Sequence, residues 1–189
     1  MQAENIFEKP FTGTHGTPQF SAIDDSMWMP AIDRGIELAR QEIDAITRQR
    51  SRPDFENTIV ALERTGEDLN RVLNVFYPLL SANASDKMME VAVEASAKLS
   101  DYSTSIVLNE ALWHRIKAVY DDRELFNLNG EDRMLLQKTY DSFALSGAML
   151  QGDDREKYRA LSSELSALTT EFGQNVLKEM STYEIWLTA

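Results

Sequence analysis

Apolar residues recur at steps of three and four along most of this chain, which is the spacing of one face of an α-helix. The clearest run begins after Pro53, where the Asp54 carboxylate can accept the free backbone N–H groups of a first turn. Its apolar stripe continues through a glycine and consists of Ile59, Leu62, Gly66, Leu69, Leu73, Phe76 and Leu80. The pattern predicts one continuous helix. Because glycine inside a helix costs about 1 kcal/mol relative to alanine, we expect the backbone of another helix or a bulky side chain to pass close to Gly66. The alternative is a glycine at a kink.

Other segments show the same helical period. A helix from Ser26 is predicted to bury Ile32, Ile36, Ala39, Ile43 and Ile46. The next stripes comprise Met88, Ala92, Ala95, Leu99, Tyr102 and Ile106, then Leu112, Ile116, Val119 and Tyr120 after an N-cap at Asn109, then Leu136, Tyr140, Phe143, Gly147 and Leu150. A last helix from about Arg155 is expected to turn inward Tyr158, Leu161, Leu165, Leu168, Phe172 and Val176.

The two ends of the chain depart from this period. Residues 1–25 read as an extended arm anchored by Phe7, Phe11 and Phe20. The stretch "YEIWLT" alternates apolar and polar residues, so 183–189 is predicted to start a strand whose partner lies outside this chain. Between them, 26–182 is predicted to be one helical domain. The fold class is therefore all-α: an antiparallel, bundle-like domain of five to six helices with an extended N-terminal arm and a lone C-terminal strand.

Composition narrows the functional classes. The 189 residues carry a net charge of −12 and no basic cluster, which argues against nucleic-acid binding. No apolar stretch is long enough for a membrane span, and no signal peptide is visible. There is no cysteine, and neither His15 nor His114 belongs to an H-E-x-x-H motif. Shared carboxylate faces such as Glu63 with Glu67 and Asp68, or Glu90 with Glu94, are interpreted as solvated surface. We assign no catalytic, cofactor-binding or metal-binding residue to this segment.

Several stretches in order resemble a known family. "PDFENTIVALERTGEDLNRV" (53–72), "LLSANASD" (79–86), "RIKAVYDDRELFNLNGEDRMLLQKTYDSFALSGAML" (115–150) and "KYRALSSELSALTTEFGQNVLKE" (157–179) are similar to the N-terminal region of the thimet oligopeptidase and peptidyl-dipeptidase family of zinc metallopeptidases. The likeness extends from about residue 20 to the end. It is strongest to the bacterial peptidyl-dipeptidase branch, with oligopeptidase A second.

The resemblance implies a large helical enzyme in which an N-terminal half faces a catalytic half across a channel for short peptides. In that family zinc is held by two histidines of H-E-x-x-H and a later glutamate, and none of these residues is present here. The resemblance thus implies zinc in the full-length enzyme but none in this segment, which is expected to be inactive alone. The implied partners are short peptide substrates and the missing C-terminal catalytic half. The implied location is the cytoplasm, or the periplasm if a signal segment has been removed.

A second hypothesis is a stand-alone helical interaction module that binds a peptide or helix in a groove. The fragment hypothesis predicts a large exposed apolar patch and an unpaired terminal strand, whereas the module hypothesis predicts a closed bundle with polar outer faces. Polar residues such as Asn83, Gln174 and Asn175 are interpreted as capping or core hydrogen-bonding residues rather than substrate contacts.

Overall fold

The computed structural model describes residues 5–182 and Glu184. In this part of the chain there are six long helices and one short helical turn, α2, and no strand. The helices are α1 (Trp28–Thr47), α2 (Ala61–Glu63), α3 (Glu67–Asn83), α4 (Asp86–Val107), α5 (Glu110–Asp121), α6 (Gly130–Leu145) and α7 (Asp153–Thr182). The all-α prediction of five to six helices is confirmed. The predicted strand at 183–189 lies outside the described residues apart from Glu184.

Helix α1 runs through both apolar clusters of the fold. Its first half packs with α3, α4 and the N-terminal arm, where Ile32 is fully buried. Its second half places Ile43 and Ile46 against α5 and α6. All five apolar positions predicted to face inward on this helix are buried. The stripe therefore makes α1 the shared wall of the two clusters.

The long helix predicted around Gly66 is wrong as a single element. A π-helical segment, Phe55–Val60, leads into α2, and Gly66 then separates α2 from α3 in a left-handed conformation with φ +76°. An added Cβ at Gly66 would come no closer than 3.8 Å to Ala39 Cβ or to the Tyr102 hydroxyl, so the predicted close approach of a helix backbone or bulky side chain is wrong. The glycine supplies a backbone conformation that L-residues rarely adopt. The break directs Ile59 into one cluster and Leu69 into the other.

The close helix approach lies at Gly35 instead, on α1. A Cβ added there would sit 2.8 Å from Leu69 Cα and 3.1 Å from Leu69 Cβ, so only glycine fits between α1 and α3. Gly147, predicted inside the helix of residues 136–150, follows the end of α6 with φ +97°. It also faces Leu150 Cδ1, which would lie 2.9 Å from an added Cβ. The apolar pattern did not indicate these roles, because Gly66 and Gly147 lie on predicted stripes whereas Gly35, the packing glycine, does not.

The described part of the arm consists of short 3-10 turns separated by extended residues. Phe7 is buried with its ring centroid 5.0 Å from that of Trp28, and Phe11 lies edge-on to Phe7 at 5.8 Å. The arm is thus pinned at these two rings. The predicted third anchor is wrong, because Phe20 is 56% exposed.

Candidate functional site

Helix α7 packs against α4 through hydrogen bonds to the backbone. The Ser166 hydroxyl donates to the Ser96 carbonyl at 3.1 Å, and the Ser100 hydroxyl donates to the Ser162 carbonyl at 3.2 Å. Farther along, the Gln174 amide donates to the Met89 carbonyl at 2.8 Å, a hydrogen-bonding role of the kind predicted for it. Small polar side chains let the two helices approach, and this seam holds α7 without an apolar core of its own.

The apolar stripe of α7 is exposed at the surface and is not packed into a core. The prediction that it faces inward is wrong, since no α7 residue in the described part is buried. Leu165 is 67% exposed and Phe172 is 71% exposed. The other exposed large apolar residues of this helix are Leu161, Leu168, Val176 and Met180. We call these six residues the α7 flank. An exposed stripe of this extent is uncommon on a soluble monomer and is typical of an interaction surface.

A groove with a volume of about 620 Å³ runs beside the α7 flank, between α7 and the helices α3 and α4. Its apolar lining includes Leu80, Leu99, Phe172 and Val176, and Ser96 and Thr169 provide polar groups. Tyr77 of α3 also lines it, and burial raises the pKa of its phenol. This lining is predominantly apolar, which suits it to binding an apolar segment.

A second, more polar cleft of about 340 Å³ lies between α1 and α4. Arg40 crosses it, donating to Asp101 at 2.8 Å and to the Ser105 hydroxyl at 3.1 Å, with its guanidinium 5.7 Å from the centroid of the Tyr102 ring. Burial and the nearby Glu42 carboxylate raise the pKa of Tyr102, and Arg40 opposes that shift. Because Arg40 is already paired within the protein, this cleft is a weaker candidate for ligand binding.

Sequence reasoning missed a buried arginine. Arg115 on α5 is 7% exposed, and its Nη2 donates to Asn57 Oδ1 at 2.6 Å and to Thr58 Oγ1 at 3.1 Å. Its Nη1 donates to the carbonyls of Gln49 and Ser51 at 3.3 and 3.4 Å. Desolvation lowers the pKa of the guanidinium, although the Asp54 charge opposes this. The network ties the connection after α1 to α5, which is a structural role.

The histidines and acidic residues considered above for chemistry lie on several different elements of the fold. His15 and His114 are both exposed, on the arm and on α5. Glu90 pairs with Lys87 at 2.9 Å and Glu94 with Lys98 at 3.0 Å, as expected of a solvated surface. Within residues 5–182 and Glu184, no three His, Cys, Asp or Glu side chains are grouped so as to hold a metal ion. The prediction that this segment carries no site residue stays a prediction.

The sequence of this chain is similar to those of several known proteins. No protein-family model matches it. Over 94% of its length it is 36% identical to dipeptidyl carboxypeptidase of Escherichia coli (strain K12), and the match covers 26% of that protein. It is 28% identical to oligopeptidase A of Haemophilus influenzae over 89% of the chain and 24% of that protein. Over 90% of the chain it is 24% identical to mitochondrial intermediate peptidase of Candida glabrata, covering 21% of that protein.

This chain is related by descent to an N-terminal region of these peptidases. The resemblance to the peptidyl-dipeptidase and oligopeptidase A family is confirmed, including the higher identity to a dipeptidyl carboxypeptidase than to an oligopeptidase A. The chain spans about a quarter of the length of the curated relatives it matches. Among the described residues, no helix combines the length and the apolarity needed to cross a bilayer.

Proposed function

We propose that this chain is the N-terminal helical region of a zinc-dependent, peptidyl-dipeptidase-like metallopeptidase, in which it walls a channel for short peptides. The observation that carries the proposal is the 36% identity to a dipeptidyl carboxypeptidase across 94% of the chain. This match extends over nearly the whole helical region and is not limited to one short motif. In this proposal the helical region is 26–182, and 183–189 begins a strand that pairs with sequence outside this chain.

The exposed α7 flank supports the same proposal. A region that packs against a second half needs an apolar surface that is uncovered when the region stands alone. The six residues of the α7 flank and the adjoining groove provide such a surface. The alternative, a stand-alone interaction module, is favoured only by the groove, since that hypothesis predicts polar outer faces and the α7 flank is an exposed apolar one.

The described residues do not fit zinc, and we derive no catalytic step through it here. Neither His15 nor His114 has a second histidine or a carboxylate pair arranged for coordination. In the proposed enzyme the metal and its activated water belong to the part of the protein that this chain does not contain. The contribution of the present residues is to shape and wall the channel. We place the enzyme in the cytoplasm, with the periplasm as the alternative.

The test compares the full-length protein from the natural gene with the chain of residues 1–189. Both are assayed with short internally quenched peptides and with longer peptides, analysed by mass spectrometry for released dipeptides. We expect chelator-sensitive turnover only for the full-length protein, and no stoichiometric zinc in the 189-residue chain after dialysis.

A full-length protein that binds zinc and shortens peptides supports the proposal, and release of dipeptides supports the finer assignment over internal cleavage. A natural protein that ends near residue 189, or chelator-sensitive hydrolysis by the 189-residue chain, contradicts it. A monomeric natural protein of that length would favour the interaction module.

A further inference from the structure

We propose that, in the longer protein, the α7 flank and the groove beside it hold one amphipathic helix from the sequence that follows residue 189 of the same chain. This inference rests on the proposed function only in requiring a longer protein. It assigns the surface to one occupant, a helix whose apolar residues recur at steps of three and four.

The shape of the α7 flank fits one helix. Its residues run from Leu161 to Met180, and at 1.5 Å per residue this stripe is about 28 Å long. They recur at steps of four, three, four, four and four, so they form a single ridge and not a broad patch. Ridges of this kind pack into the grooves of a neighbouring helix.

The groove provides the second side of the proposed seat. Phe172 and Val176 belong to both the α7 flank and the groove lining, so the two surfaces are continuous. Across the groove, Leu80 of α3 and Leu99 of α4 are only partly buried and offer further apolar contact. A helix lying there would contact α3, α4 and α7 and would place its apolar face in an apolar groove, which is a recurrent mode of helix recognition.

Two observations favour an occupant from the same chain. The relatives are about four times as long as this chain, so a longer protein has ample sequence to supply a helix. In addition, α7 ends at Thr182, close after the groove residues Gln174, Val176 and Leu177. The first helix after residue 189 would therefore follow α7 closely in the sequence, and sequential elements usually lie beside each other.

The experiment measures thiol accessibility in the full-length protein. Single variants Leu165→Cys on the α7 flank and Thr169→Cys in the groove are compared with Ala167→Cys, an exposed position elsewhere on the same helix. Each labelling rate with a maleimide is determined by peptide mapping and divided by the rate of the same variant in urea. Peptidase turnover or, if the protein has none, the unfolding midpoint verifies that each variant is folded.

We expect labelling at Leu165→Cys and Thr169→Cys to be at least about tenfold slower than at Ala167→Cys, because a covered thiol reacts only through local opening. Cross-linking from Leu165→Cys should then reach a residue beyond 189 in the same molecule, within a segment with helical apolar spacing.

Rates within about twofold of the control would overturn the proposal, as would a cross-link confined to residues 1–189. Protection that disappears on dilution, or a cross-link between isotopically distinct copies, would identify a second copy as the occupant and also refute it. Because protection does not require turnover, an inactive but protected protein would contradict the proposed function while leaving this inference standing.

Discussion

The buried Arg115 network allows a quantitative prediction about stability. In the variant Arg115→Met the side chain keeps most of its length and apolar stem but loses every guanidinium hydrogen bond. The bonds lost are those to Asn57 Oδ1, to Thr58 Oγ1 and to the carbonyls of Gln49 and Ser51. Because Arg115 is 7% exposed, water cannot replace the guanidinium without a change in packing.

The size of the destabilisation depends on which hydrogen bonds the former partners of Arg115 keep. Asn57 Oδ1 still accepts from the Asp54 amide at 3.1 Å and from the Thr58 hydroxyl at 2.8 Å, so neither side chain is left without a partner. Gln49 and Ser51 are exposed, and water can hydrate their carbonyls. The two short bonds from Nη2, each worth about 1.5–3 kcal/mol as bonds from a charged donor, dominate the loss.

One contribution to the free energy of unfolding opposes the loss of these hydrogen bonds. The buried Arg115 Nε has no hydrogen-bond partner among the described residues, and removing this donor together with a desolvated charge recovers part of the free energy. We therefore expect Arg115→Met to lower the free energy of unfolding by about 2 kcal/mol, less than the 3–5 kcal/mol typical of breaking a buried ion pair.

The assay is urea denaturation followed by far-ultraviolet circular dichroism, with equal m-values required for comparison. Arg48→Met is the matched control. Arg48 is exposed, its only ion pair in the described region is with Asp44 four residues earlier, and we expect a loss of at most about 0.5 kcal/mol. If Arg115→Met is no more destabilising than Arg48→Met, the reasoning is refuted. Thr58→Val combined with Arg115→Met should lose less than the sum of the two single variants, because they share one hydrogen bond.

Three further predictions concern α7 and the glycines. Gly66→Ala should destabilise the protein by about 1–2 kcal/mol because Gly66 has a positive φ. Gly173→Ala in helix α7, where an added Cβ meets nothing within 4 Å, should stabilise it by about 0.5–1 kcal/mol. If urea unfolding shows that both variants change the free energy of unfolding in the same direction, this reasoning is contradicted. Gly35→Ala should cost about 1–3 kcal/mol through overpacking, and a neutral effect would show that α1 and α3 separate without penalty. The double variant Leu165→Ser, Phe172→Ser should change the free energy of unfolding by less than about 0.5 kcal/mol. It should also reduce self-association of the 189-residue chain, measured by sedimentation velocity. Unfolding of this variant would contradict the prediction, because it would place those residues in a core.

Much of the fold was predictable because local signals and burial agree. Asp54, Ser85 and Asn109 all cap helices through their side chains, and each is recognisable from a short polar residue before an apolar run. The stripe of α1 is buried as predicted, since a helix with one apolar face has a single way to remove it from water. The all-α class, the start of most helices and the family likeness therefore follow from the sequence, whereas the break at Gly66 does not.

The roles of the glycines were decided by the tertiary structure. Gly35, Gly66 and Gly147 all occupy positions where a helical pattern runs through or near them. Only the tertiary structure distinguishes the close approach of Gly35 to Leu69 from the positive φ values at Gly66 and Gly147. Hydrophobic spacing reports which face of a segment is apolar, and it carries no information on the backbone angles at one residue.

The same distinction explains the candidate site. The sequence determined that α7 has an apolar stripe, but not whether this chain covers it. The hydrogen bonds of Ser166 and Gln174 to α4 seat α7 by a polar seam and leave Leu165 and Phe172 exposed. Likewise, Arg115 looks like a surface arginine in the sequence, and it is buried because α5 packs over the connection after α1. Periodicity fixes the direction of an apolar face on its own helix, whereas the partner of that face depends on contacts between residues far apart in the chain.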